Sequence, residues 1–137
     1  MTTLTDLADI NYAAVTAAAA ARLPLAGLWH SPLMFGRPWE RHAGLSAEQM
    51  RRRPLPALFA LAFVTALAGA FVLALLLGRD AGLATGALAG LLTGLGVAAG
   101  ALLSSMAFEA RPPRLIAIDA GFHTTVFTVT GAVLGAW

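Results

Sequence analysis

The chain has 137 residues, of which 58% are hydrophobic and 12% are charged. Because an ordinary soluble domain carries about 25% charged residues, this composition excludes one. The formal net charge is only +2 and the arginines stand beside apolar stretches, so the sequence gives no reason to expect nucleic-acid binding. The absence of cysteine excludes disulfides, thiol catalysis and thiolate metal sites.

Four long apolar stretches dominate the chain. A bilayer core of about 30 Å takes about 20 helical residues to cross, and each stretch is long enough. We therefore predict an all-α membrane protein whose four transmembrane helices form an antiparallel bundle, a single domain over residues 1–137. The predicted spans cover about residues 10–34, 55–77, 82–108 and 115–136. No basic residue precedes the first stretch, so we expect it to remain as a span rather than to be a cleaved secretory signal.

The first predicted span is the least regular, because Pro24 lies inside it and a proline can kink a helix. Residues 36–53 follow it as the only sizeable polar segment. Ser46 and Gln49 have the spacing of a capping box, which predicts a short amphipathic surface helix that ends before Pro54. The predicted interface anchors are Trp29, Trp39, Arg51, Arg52 and Arg53.

The second and third predicted spans are joined by the short turn 78–80, so they are expected to form a hairpin. Glycines recur every four residues in the third span and again in the fourth, and such stripes let helices approach closely in lipid. Packing within one chain is the favoured interpretation, and a specific dimer motif is the alternative. The glycines assigned to helix packing are Gly86, Gly90, Gly94, Gly131 and Gly135.

The arginines predict the orientation of the chain in the membrane. Arginines concentrate in the loop before the second span and in the loop before the fourth, whereas the opposite side has only Arg79. The positive-inside rule therefore places both basic loops in the cytoplasm and both termini on the periplasmic side.

Five ionisable groups are expected to converge in the cytoplasmic half of the bundle, where each needs a partner. Asp119 and His123 stand four apart on the fourth span, hence on one face. In one interpretation Arg22 pairs with Asp119, and His123 titrates or binds a ligand. In the other, Arg22 and Asp119 only neutralise each other and fix the helix register. The candidate ligand- or proton-binding residues are Arg22, His30, Glu109, Asp119 and His123.

The sequence favours neither a metal site nor an enzyme, although the two histidines with Asp119 and Glu109 could also ligate a metal. No spacing of potential metal ligands is diagnostic, and the sequence contains no nucleophile elbow, phosphate-binding glycine loop or His-Glu-x-x-His motif. The glycines of the third span follow no strand, so they are not a nucleotide-binding fingerprint. No cofactor is indicated.

The segment Leu28-Trp29-His30-Ser31-Pro32-Leu33-Met34-Phe35-Gly36-Arg37-Pro38-Trp39 resembles a known pattern. It is similar to the small bacterial membrane-protein family named domain of unknown function seventeen-sixty-one, whose members typically show Trp-Tyr-Ser-Pro-Leu-hydrophobic-Phe-Gly and then a Trp. The similarity extends to Asn11, to residues 108–112, to residues 121–123 and to residues 135–137, so it covers nearly the whole chain.

This chain departs from the family pattern at two positions. His30 stands where the family usually has Tyr, and Asp119 stands where Asn is common. Both changes make the predicted polar cluster more ionisable than the family pattern. The resemblance implies a four-helix membrane fold and a bacterial origin, and it implies no activity.

Two functions from different classes fit these observations. The first is a non-enzymatic structural or accessory subunit of the bacterial inner membrane, embedded in the lipid bilayer and associating with itself or with a larger complex through helix packing. The alternative is a module that binds or transports a ligand, ion or proton through the Arg, Asp and His cluster.

Overall fold

The computed structural model describes residues 4–137, and every regular element in this part of the chain is a helix. A 3-10 helix at Leu4–Asp9 precedes the first long helix. The α-helices are α1 (Tyr12–Trp29), α2 (Gly36–Ala43), α3 (Ala47–Arg51), α4 (Leu55–Leu77), α5 (Leu83–Thr93), α6 (Gly100–Phe108) and α7 (Pro113–Ala136). A π-helical segment, Gly94–Ala99, joins α5 to α6 without a break.

Three helical rods, rather than the four that we predicted, are long and apolar enough to cross a membrane. They are Leu55–Leu77, Leu83–Phe108 and Pro113–Ala136. The predicted fourth span at 10–34 is not among them: the helix there, α1, ends at Trp29, and its composition is less apolar than that of the three rods. Arg22 and Pro24 lie inside α1 and lower its hydropathy, and half of its other residues are alanines, which are only weakly hydrophobic.

Proline and glycine set the ends of these rods. Proline stands in the first turn of α4 and of α7, where its missing N–H has no helical partner to lose. Gly78 ends α4 with a φ of 69°, and Gly82 precedes α5 with a φ of 82°. Because glycine enters the left-handed region without a steric cost, it allows the tight turn between the two helices.

Helix α7 is the common packing partner of the other helices, since it contacts α1, α2, α4, α5 and α6. It is closest to α5, where backbone meets backbone. A Cβ on Gly86 would collide with the carbonyl oxygen of Gly131, and one on Gly90 with that of Phe127. The glycines predicted to serve helix packing therefore make contacts between α5 and α7 of the same chain.

Helix α1 runs in the opposite direction to α7. Near its start, Val15 and Ala18 pack with Ala70 in a core that includes Leu134, close to the end of α7. At its other end, the Trp29 indole Nε1–H donates to the carbonyl oxygen of Ile118, 3.2 Å away and near the start of α7. The end of the 3-10 helix is also held to the α4–α5 turn, because the Arg79 side chain donates to the carbonyl oxygen of Asp9 at 2.8 Å.

One end of the molecule is more open than the other. We call the end that carries Arg51, Arg52, Arg53, Arg111 and Arg114 the basic end. The buried residues of α4 are Ala66, Ala70 and Leu73, all in the half of the helix away from the basic end. Helix α6, which also approaches the basic end, has no buried residue. Near the basic end, α4 and α6 are therefore loosely packed, whereas α7 buries Leu115 and Ile118 there.

The polar segment forms two short helices rather than the single one that we predicted. Gly44 ends α2 with a φ of 72°, which turns the chain before α3 begins. The predicted capping box is confirmed, because the Ser46 hydroxyl accepts from the Gln49 N–H at 3.1 Å and the Ser46 N–H donates to the Gln49 side chain at 2.8 Å. Glu48 forms ion pairs with Arg51 and Arg52 at 3.1 and 2.9 Å.

Candidate functional site

A tight turn after α1 directs the chain back toward α7. The Phe35 N–H donates to the carbonyl oxygen of Trp29, and the Gly36 N–H to that of Ser31, both at 2.9 Å. Gly36 is buried against this turn, where a Cβ would collide with the carbonyl oxygen of His30. Only glycine allows this close approach of two backbone segments, so the Phe-Gly pair of the sequence motif has a structural reason.

The turn brings two tryptophans against the first turns of α7. Besides the Trp29 bond to Ile118, the Trp39 indole Nε1–H donates to Asp119 Oδ1 at 3.0 Å. Both side chains are half-buried. The two tryptophans that we predicted as interface anchors thus join α1 and α2 to α7, and the Arg53 guanidinium lies over the ring of Trp39 at 5.9 Å.

Phe122 of α7 is the centre of a polar and aromatic cluster, and only 5% of its surface is exposed. The His30 ring meets it edge-on at 5.2 Å, and the His123 ring does so at 5.4 Å. The Arg22 guanidinium lies over its face, 5.6 Å from the ring centre. We call the following residues the Arg22 cluster: Arg22, His30, Trp39, Asp119, Phe122 and His123.

Arg22 has no carboxylate partner among the side chains of residues 7–137, where the ion pairs involve other arginines. The predicted pairing of Arg22 with Asp119 is therefore not formed. Asp119 instead accepts the Trp39 indole hydrogen, and it interacts electrostatically with His30. Within residues 7–137 the Arg22 guanidinium donates no hydrogen bond; it lies over the Phe122 ring and close enough to His123 to act on it electrostatically.

The two histidines of the cluster differ in their bonding. His30 Nδ1 is 3.0 Å from the carbonyl oxygen of Ala26, and because a carbonyl only accepts, Nδ1 carries the hydrogen. His123 has no hydrogen-bond partner in the described part of the chain, although Arg22 and His30 both act on it electrostatically. Either ring nitrogen of His123 is therefore available to a ligand.

The structure thus brings together four of the five residues that the sequence selected: Arg22, His30, Asp119 and His123. Glu109 is exposed and pairs with Arg111 at 3.2 Å. Sequence reasoning missed the place of Trp39 and Phe122 in the cluster. The only available signal for Trp39 was its position just after the Phe-Gly turn.

The cluster does not have the composition of a metal centre. Across residues 4–137 no group of three or more His, Asp or Glu side chains is arranged to hold a metal ion. Its uncompensated charge is the cationic guanidinium, and its free nitrogen atoms belong to an imidazole. Such a set of groups recognises anions and exchanges protons.

The fold and the cluster define a small all-helical protein with three membrane-length apolar rods and a polar site between its helices. More particularly, residues 13–135 match the family described as Protein of unknown function (DUF1761), and the chain belongs to that family. The match includes the whole Arg22 cluster and the turn that precedes α2. Among curated proteins and among solved structures there is no significant match.

Proposed function

We propose that the protein is an integral protein of the bacterial inner membrane in which α1, α4, the α5–α6 rod and α7 form an antiparallel bundle. Its basic end faces the cytoplasm and both termini lie on the periplasmic side, which requires α1 to cross the membrane as well, packed against α4 and α7. The uneven distribution of arginines supports this orientation, because the loops at the basic end carry most of them and the α4–α5 turn carries only Arg79. The helix bounds support membrane insertion, because three rods have the required length and composition.

We further propose that the protein is a binding module whose site is the Arg22 cluster. The observation that carries this proposal is the Arg22 guanidinium, which lies between helices without an anionic partner among the side chains of residues 7–137. Phe122 follows the start of α7 by nine residues, so Arg22 lies about 13 Å from that end, near the middle of a bilayer. A charge at that depth marks a functional site unless the protein neutralises it.

The energetic balance at Arg22 supports a ligand role over a structural one. An arginine at the centre of a membrane helix costs about 2.5 to 3.5 kcal/mol on insertion scales. A desolvated cation–π contact returns about 2 kcal/mol. Phe122 therefore offsets only part of the cost, and a bound partner is needed for the rest.

The test is the substitution Arg22→Met, which keeps a long helix-forming side chain and removes the charge. We expect the free energy of unfolding to rise by about 1 kcal/mol, because the relieved cost exceeds the lost cation–π contact. The measurement is thermal unfolding followed by circular dichroism, in a non-ionic detergent after removal of bound lipid, so that a ligand does not add to the stability of the wild type.

Arg114→Met is the matched control, since Arg114 is exposed at the start of α7. This variant should unfold within about 0.5 kcal/mol of the wild type. A loss of stability in Arg22→Met by 1 kcal/mol or more would show that Arg22 holds the helices together, and the binding function would be wrong.

An accessory subunit of a larger assembly is the second candidate. It is favoured by the unpacked half of α4, where Leu55, Leu58, Phe59, Leu61 and Val64 are all exposed. A helix of a second copy or of another subunit fits such a face. The mass of the gently solubilised protein in native mass spectrometry tests this candidate, and a monomer without co-purifying chains would contradict it.

A further inference from the structure

The Arg22 cluster offers two hydrogen-bond donors to a ligand from two different helices. Arg22 is on α1 and presents the planar fork of a guanidinium. His123 is on α7 and has an N–H group that bonds to nothing else within residues 4–137. Both lie against the Phe122 ring, at 5.6 Å for the guanidinium carbon and 5.4 Å for the imidazole centre, and Arg22 acts electrostatically on His123.

The only carboxylate in the cluster is already engaged. Asp119 accepts the indole hydrogen of Trp39 at 3.0 Å, and its charge acts on His30. It therefore holds α2 against α7 rather than neutralising Arg22. A cationic ligand would be repelled by the guanidinium, whose charge no carboxylate within residues 7–137 pairs with, so the site favours an anion.

The arrangement of the donors distinguishes between classes of anion. A carboxylate has two coplanar oxygens, which the guanidinium fork alone satisfies in a bidentate contact. A phosphate has further oxygens directed away from that plane, and these can accept from a second donor such as the His123 imidazole. Donors on two helices therefore fit a phosphate better than a carboxylate.

The surroundings of the cluster give an anion a way in. The half of α4 nearest the basic end has no buried residue, so α4 does not close that side. Helix α2, which carries Trp39, presents the exposed side chains of Arg37, Glu40 and Arg41 around an open surface depression of about 550 Å³. The two arginines outweigh the single glutamate, and a positive surface raises the local concentration of anions.

We propose that the Arg22 cluster binds a phosphate group, with Arg22 as the bidentate donor and His123 as the second donor. This inference rests on the proposed binding function and names its ligand class. The phosphate belongs either to the headgroup of an anionic phospholipid or to a free phosphate ion. The walls of Trp39 and Phe122 exclude water from one side of the bound group and thereby strengthen both hydrogen bonds.

The experiment measures binding to the full-length protein in a non-ionic detergent that lacks phosphate. Three probes are titrated at constant ionic strength: inorganic phosphate, dioleoylphosphatidylglycerol, and dioleoylglycerol, which has the same acyl chains without the phosphate. The increase in Tm gives the apparent affinity for each probe. Retained lipid is counted by native mass spectrometry.

We expect the wild type to bind phosphatidylglycerol or inorganic phosphate and not dioleoylglycerol. Binding of the lipid alone identifies a headgroup as the source, and binding of inorganic phosphate identifies a free ion. Arg22→Met should weaken binding at least about tenfold, because it removes charge-assisted hydrogen bonds. His123→Ala is the second variant and should also weaken binding, whereas His42→Ala should not, because His42 bonds to Pro38 within α2.

Two results would overturn the assignment. One is a wild type that responds to neither phosphate probe, or that responds equally to dioleoylglycerol. The other is unchanged affinity in both Arg22→Met and His123→Ala. If Arg22→Met is at the same time more stable than the wild type, the binding function stands and only the phosphate class is wrong. If Arg22→Met is less stable, the binding function itself fails.

Discussion

Gly36 tolerates no side chain, because the turn after α1 brings its Cα against the carbonyl oxygens of His30 and Ser31. Gly36→Ala would place a Cβ 2.7 Å from the Ser31 oxygen and nearer still to that of His30. Both neighbours are backbone atoms, so the turn must open. We expect a loss of about 1 to 3 kcal/mol in the free energy of unfolding, measured by thermal denaturation in detergent.

Gly27 provides the matched control for this prediction. It lies in α1, and a Cβ there would meet nothing within 4 Å. Gly27→Ala should be neutral or should stabilise the protein by up to about 1 kcal/mol, because alanine is the better helix former. Equal stability of Gly36→Ala and wild type would contradict the role assigned to the turn.

Most residues of the Arg22 cluster could be predicted from the sequence, but the contacts between them could not. Arg22, His30 and His123 were predicted to converge, because position along the helices is enough to estimate their depth. The pairing of Arg22 with Asp119 was wrong, because it depends on how α1 and α7 are rotated about their axes. The Trp29 bond to Ile118 joins α1 to α7, and the Trp39 bond to Asp119 joins α2 to α7; these bonds link residues 89 and 80 positions apart in the chain, so no local pattern reveals them.

The glycines of the α5–α6 rod differ in their surroundings, because some of them contact α7 and others contact nothing. Gly90 lies against α7, where a Cβ would meet the Phe127 carbonyl group and the Thr128 Cα at 3.0 Å. Gly90→Ala must therefore push α5 away from α7 along their contact. We expect a loss of about 1 to 3 kcal/mol, because overpacking against backbone atoms leaves no flexible side chain to move. Thermal unfolding in detergent measures it.

Gly100 of α6 is the control for Gly90, since it follows in the same rod and a Cβ there meets nothing within 4 Å. Gly100→Ala should not lower the Tm. If both variants were equally stable, close approach of α5 and α7 would not contribute to stability. If both variants lost the same amount of stability, Gly100 would have to contact a molecule other than this chain.

The boundaries of the elements were predictable where local chemistry fixes them. Helix α4 was predicted at 55–77 and occupies those residues, because Pro54 and Gly78 bracket an uninterrupted apolar run. The end of α1 was predicted five residues too late, because the turn after it depends on Gly36 fitting against His30.

The π-helical segment had no local signal in the sequence. An α-helix has 3.6 residues per turn, so residues spaced every four positions do not stay on one face of the helix. Each successive residue of such a series lies a little further around the helix axis. After Gly94 the next buried position is Ala99, five residues on, and Gly96 and Gly100 face away from α7. The wider turn of the π-helical segment brings Ala99 to the face that packs against α7. The segment is therefore explained by a contact with a distant helix and not by the local sequence.

At the scale of the whole molecule, the proposed orientation depends on a few charges. The segment between α1 and α4 and the segment between α6 and α7 both lie at the basic end, whereas the α4–α5 turn has the single Arg79, held by Asp9 at 3.5 Å. Because arginine-rich short loops stay in the cytoplasm, α4 and α7 must both run from the cytoplasmic to the periplasmic face.

This orientation can be tested with single cysteines, since the natural chain contains none. Ala47 at the start of α3 and Ala136 at the end of α7 are both exposed, so a cysteine at either position reacts freely once the reagent reaches it. In intact spheroplasts a membrane-impermeant maleimide should label Ala136→Cys and leave Ala47→Cys unlabelled. Both variants should react after permeabilisation, which controls for local reactivity. Labelling of Ala47→Cys alone in intact spheroplasts would show that the molecule has the opposite orientation. Arg37 and Arg41 would then lie on the periplasmic side, and the inner leaflet could not supply the anion.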